Sequence, residues 1–301
     1  MRTELILTIV IVLVFVGSFL AKGLLPTPPD NDLPDPGRPE RIVAGAPAIT
    51  ETLFALGCGD RVVGVTDFCQ YPPEVASRPR IGGFLNPNYE AIVALRPDLV
   101  VMLQEAQDTK LVLQNLRLRT LTVPYMTVEQ IEKSIPRIGR ECGAEAAAER
   151  IVADIDARIE RVRQKTAGLP RPRVMITIER TLGTGGLQDV FVAGRDGYFD
   201  AMIAIAGGKN AYDQGDVRFP VISREGILRM NPEVIIELVS RQTAGNRPEP
   251  EILADWQQLA GIEAVQKKRI HVVRENYAFV PGPRFILLVE ELARLIHPEV
   301  D

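Results

Sequence analysis

Two stretches of the chain, FLNPNYEAIVALRPDLVV at residues 84–101 and FPVISREGILRMNPEVII at residues 219–236, align without a gap at a constant offset of 135. Phe84 meets Phe219, Glu90 meets Glu225, Ile92 meets Ile227 and Pro97 meets Pro232, and an acidic residue then leads into an apolar run. Each copy reads as one unit: an aromatic loop, a helix capped by Asn88 or Ser223, a proline break and a buried strand. Such a repeat predicts two lobes built alike, each presenting a Phe and, six residues later, a Glu.

The flanking chain extends both units in the same alternating style. Before the first copy come a strand at 41–44, a helix over ITETLFALG that ends at Gly57, where a left-handed cap suits glycine, and a strand at 62–65. After it come a helix near 109–119, a strand at 121–123 and a helix opened by a Thr127/Gln130 capping box and kinked or divided at Pro136. Residues 144–166 carry Ile151, Ile155, Ile159 and Val162 at helical spacing between charges, a long amphipathic helix suited to connect two lobes. The second lobe begins with a strand at 173–178 and continues through a helix near 198–206 to a strand at 270–273 and a last amphipathic helix with Arg284 near its start. Alternating strands and helices imply central, mainly parallel sheets flanked by helices, with ligands beyond the C-terminal strand ends. The expected class is therefore α/β, two similar lobes joined by one long helix with a cleft between them. The expected division is an N-terminal segment at 1–23, a linker at 24–40, a first lobe at 41–142, a connecting helix at 143–168 and a second lobe at 169–301.

Leu5 to Ala21 are uncharged, between Arg2 and Lys22, and read as a signal peptide or a membrane anchor. Six prolines within 24–40 make a stiff, extended spacer after it, which suits a tethered protein. The globular part is then expected outside the cytoplasm, where disulfides are permitted. Cys58 and Cys69 flank a strand and are one candidate bridge, while Cys142 ends a helix; three separate buried thiols are the simpler expectation.

A net charge of −4 supplies no basic surface for nucleic acid. His271 and His297 are the only histidines, too few for a His-based metal site, and neither lies in a nucleophile motif. GTGG at 183–186 lacks the Lys-Ser/Thr pair of a phosphate loop, so no catalytic constellation is visible. The remaining candidates are Phe68, Phe84 and Phe219 in loops, and Arg284. Each Phe is either a plug on a core edge or part of an aromatic clamp for a large, partly apolar ligand, with Arg284 as a polar contact. Glu90 and Glu225 either complement their helix dipoles or dock to basic pockets of a two-fold partner.

RIVAGAPAITETLFALGCGDRVVGVTDFCQYPPE, GGFLNPNYEAIVALRPDLVV, FPVISREGILRMNPEVII and VPGPRFILLVEELA recur in the order and spacing of a known family. From residue 41 to its end the chain resembles the cobalamin and iron-siderophore class of ABC-importer solute-binding proteins. The resemblance implies a non-catalytic, monomeric receptor on the extracytoplasmic side, with no cofactor of its own, that delivers a small molecule to a dimeric permease. It implies permease docking through Glu90 and Glu225, and cleft contacts from Phe68, Phe84, Phe219 and Arg284. Cobalamin is the ligand it favours; haem or a ferric siderophore, or a tethered sensory module of the same fold, are the alternatives. All three matched aromatics are Phe where Tyr or Trp is familiar, and no lipid-attachment Cys follows the apolar segment.

Overall fold

The computed structural model describes residues 38–182, 187, 189–240, 243, 245 and 247–300. The apolar segment, most of the proline-rich spacer and the GTGG stretch lie outside the described residues. Residues 39–301 form one compact unit.

The first lobe is built on β1 (Ile42–Ala44), β2 (Val62–Val65), β3 (Leu99–Leu103) and β4 (Thr120–Val123). They lie in the order β2-β1-β3-β4 and every pairing is parallel. A parallel sheet is covered on both faces, which is why β1 and β3 read as unbroken apolar runs instead of alternating ones. The helices α1 (Pro47–Ala55), α2 (Tyr89–Ala94) and α3 (Gln107–Asn115) make the crossovers. Gly57 takes φ 74° after α1, the left-handed cap expected there. Helix α4 (Val128–Glu141) opens on a Thr127 hydroxyl that accepts from the Gln130 N–H at 3.2 Å. It runs on through Pro136 as one helix and is not divided there. A continuous buried stripe of Val128, Ile131, Ile135 and Ile138 holds both halves to the core.

Helix α5 (Glu145–Thr166) is the long connector, burying Ala148, Ile155, Ile159 and Val162. Beyond it stand β5 (Arg173–Glu179), β6 (Val190–Val192), α6 (Tyr198–Ile205), β7 (Lys209–Asn210), β8 (Val221–Ile222), α7 (Arg224–Met230) and β9 (Val234–Leu238). They are followed by α8 (Glu249–Ala254), α9 (Glu263–Gln266), β10 (Ile270–Val273) and α10 (Phe285–Ile296). The second sheet has the order β10-β9-β5-β6-β8, with β7 also on β5. Strands β10, β9, β5 and β7 pair in parallel, whereas β6 and β8 join antiparallel, so this sheet is mixed. Arg158 of α5 binds Glu290 of α10 through two hydrogen bonds of 2.8 and 2.6 Å, fixing the connector to the second lobe.

The repeat is reproduced at atomic detail. Asn88 Oδ1 accepts from Ala91 N–H at 2.9 Å, and Ser223 Oγ accepts from Gly226 N–H at 3.3 Å, so both expected caps are made. Ile92 and Ile227 are both buried. The residue before each proline, Arg96 or Asn231, turns left-handed at φ 46° and 41°, which ends the helix and aims the chain into the following strand. Asp98 carboxylate oxygens accept from the N–H groups of Glu40 and Arg41, and Glu233 accepts from Arg173 N–H. The Arg41 and Arg173 side chains in turn donate to the carbonyls of Arg96 and Asn231. The acidic residue of each copy therefore registers its unit against the first strand of its own lobe.

The three cysteines are buried thiols. Cys69 Sγ lies 3.1 Å from both Thr50 Oγ1 and Thr66 Oγ1, so the Cys58–Cys69 bridge weighed from their spacing is not made.

Candidate functional site

The lobes meet where loops leave the C-terminal ends of β2 and β10. Arg284, at the N-cap of α10, donates from Nε to Glu51 Oε2 at 2.9 Å and from Nη2 to Glu51 Oε1 at 2.5 Å. The same Nη2 donates to Asn276 Oδ1 at 2.8 Å, and the guanidinium sits 3.6 Å over the Tyr71 ring. Asn276 also donates to Gln70 Oε1 at 3.3 Å. Glu51 belongs to α1 and is buried with its neighbours Thr50 and Thr52. Burial pushes its carboxyl above the usual range, and Arg284 pulls it back. A charge so enclosed needs a partner, and the fork of Arg284 supplies a bidentate one. A hollow of about 430 Å³ opens beside this joint, lined by Tyr71, Arg150, Asp154, Arg158, Arg284 and Leu287.

The aromatic candidates fall into different settings. Cys69 N–H returns to Thr66 O at 3.1 Å, a tight turn that leaves Phe68 at its tip, 56% exposed. Phe84 is only half exposed and leans on the core beneath the first sheet with Ile81, Ile92 and Leu113. Phe219, in the other lobe, is 38% exposed, and Tyr198 meets it edge-on at a ring separation of 6.3 Å. Phe68 and Phe219 thus carry free apolar surface, whereas Phe84 combines an anchoring role with a partly open face.

Glu90 and Glu225 are exposed in the first turns of α2 and α7. The backbone N–H at Glu225 and the Ser223 hydroxyl hold the Glu225 carboxyl below the usual carboxylate range. One turn further on, at matched positions, Val93 and Leu228 are exposed aliphatics. His297 is buried with its ring 3.3 Å from Gly207 O, and His271 lies in β10 with its pKa pushed down by burial. Among the described residues no cluster of His, Cys, Asp and Glu is suited to a metal ion.

Sequence reasoning set Arg284 at the start of the last helix as a polar contact for a ligand, and did not find its partners Glu51 and Asn276 or the neighbouring Gln70. The available signal was a single charge, Glu51, in the otherwise uncharged helix PAITETLFA.

A family model described as "Periplasmic binding protein" matches residues 42–277. An uncharacterized ABC transporter substrate-binding lipoprotein of Bacillus subtilis, YvrC, is 30% identical over 87% of this chain and 81% of its own length. A vitamin B12-binding protein of Pectobacterium carotovorum is 24% identical over 84% of this chain and 87% of its own. Among solved structures, the apo periplasmic heme-binding protein RhuT of Roseiflexus superposes with a TM-score of 0.75 at 28% identity. That likeness covers 87% of this chain and 99% of RhuT.

Proposed function

Because the chain belongs to the periplasmic binding protein family, the extracytoplasmic receptors of ABC importers for corrinoids, haem and siderophores, we propose that it captures a corrinoid of the cobalamin type. The protein is a receptor and not an enzyme, and it works with an ABC permease and a small-molecule ligand. The observation that carries the ligand reading is the exposed pair Phe68 and Phe219, one on each lobe. A corrin brings its own axial ligand on the lower face, so such a receptor supplies apolar surface and ring edges more than metal ligands. The vitamin B12-binding relative supports this reading.

Haem is the second reading, supported by the likeness to RhuT. Haem iron wants an axial donor. The two histidines lie in β10 and in a buried C-terminal contact, leaving tyrosines such as Tyr71 as the donors to test. Calorimetric titration of residues 39–301 with cobalamin, haem and a ferric siderophore separates the readings. Cobalamin is expected to bind, and Phe68→Ala with Phe219→Ala to weaken it by about 10-fold or more, since each lost aromatic contact is worth roughly 1 kcal/mol. Haem binding without cobalamin binding overturns the corrinoid assignment.

A further inference from the structure

Cys58 and Cys142 are 84 positions apart in sequence but share one guanidinium. Arg61 Nη2 donates to Cys58 Sγ at 2.9 Å and to the backbone carbonyl of Cys142 at 3.0 Å. The two thiols are themselves hydrogen-bonded neighbours, each almost fully buried. Cys58 stands in the turn after α1, and Cys142 is the C-cap of α4, just before the connector α5. Arg61 also holds Pro39 O at 2.7 Å, so the root of the globular body converges on the same point. We propose that Cys58 and Cys142 are joined by a disulfide in the exported protein, tying the turn after α1 to the end of α4.

The chemistry fits this arrangement. Arg61, three residues after Cys58 in sequence, brings a cation to that sulfur and favours Cys58 as the attacking thiolate. During folding, before burial, the Cys58 thiolate attacks a disulfide of an extracytoplasmic thiol–disulfide oxidoreductase and expels one of its sulfurs as thiolate. Cys142 then loses its proton to solvent and attacks Cys58 Sγ in the mixed disulfide, releasing the second sulfur. Two protons and two electrons leave the cysteine pair, and the oxidoreductase disulfide becomes a dithiol. Cys69, bonded to two threonine hydroxyls, stays a thiol.

The test is to alkylate the full-length exported chain in intact cells, unfold it without reductant but with fresh alkylating reagent so that buried thiols are labelled too, and map its peptides. The expected result is tryptic peptide 42–61 linked to 141–150, with a single alkylated thiol on peptide 62–80. Reductant should lower Tm by about 5–10 °C, as loss of a long-loop disulfide does. That shift should vanish in Cys142→Ser, where Cys58 becomes alkylated once the chain is unfolded. Three alkylated thiols, or peptide 42–61 linked to 62–80, overturn the proposal.

Discussion

Glu51 and Arg284 set the residue scale. A buried carboxylate is costly until it is paired, and breaking such a pair costs more than the pair is worth. Arg284→Ala is therefore expected to destabilise the protein by about 3 kcal/mol at pH 7. Without Arg284, burial alone acts on Glu51 and raises its folded-state pKa further. A raised carboxyl contributes stability that is complete below its unfolded value, about 4.3, and is lost as pH rises through the folded value. The melting gap between wild type and variant should thus be smaller at pH 5 than at pH 8, and a gap that widens in acid would refute this account. The pair was only half legible in the sequence. Arg284 advertises itself at a loop-to-helix junction, but its partner lies 233 positions away, where nothing local announces a contact. The Arg180 cluster was hidden for the same reason. Its guanidinium meets Glu237 and Asp255, and Glu237 also accepts from Trp256, all buried in the second lobe.

At the scale of elements, the repeat and the connector were the most readable parts, because caps, proline breaks and apolar spacing are local signals. Less readable were the short strands β6 and β8 at one end of the second sheet. Val190–Val192 and Val221–Ile222 are too brief for a period to show, and their antiparallel direction is decided by the sheet they complete. Helix α4 shows tertiary packing overriding a local rule, since its buried stripe keeps Pro136 inside one helix. The Arg158–Glu290 tie belongs to this scale, since it joins α5 to α10. Arg158 holds the Glu290 carboxyl below the usual range. Its contribution is present above the unfolded value near 4.3 and is lost as pH falls through the folded one. Glu290→Gln should cost about 1 kcal/mol at pH 7, and thermal melts should show a smaller cost at pH 3. An equal cost at both pH values would place the effect elsewhere.

For the whole molecule, the repeat supplies two similar surfaces on two lobes. Each pairs a carboxylate, Glu90 or Glu225, with an aliphatic one turn on, Val93 or Leu228. We propose that these surfaces dock to a permease of two similar halves. Glu90→Ala with Glu225→Ala should leave ligand affinity within about two-fold while lowering permease binding at least 10-fold, as loss of two charge-assisted contacts of about 1 kcal/mol each implies. Measuring ligand affinity and permease capture on the same preparation checks both halves, and unchanged capture would reject the docking role. The burial of every cysteine has a practical consequence at this scale. The folded surface offers maleimide reagents no native thiol, so a fluorophore pair introduced at exposed positions such as Leu85 and Val217 would report lobe motion against a dark background.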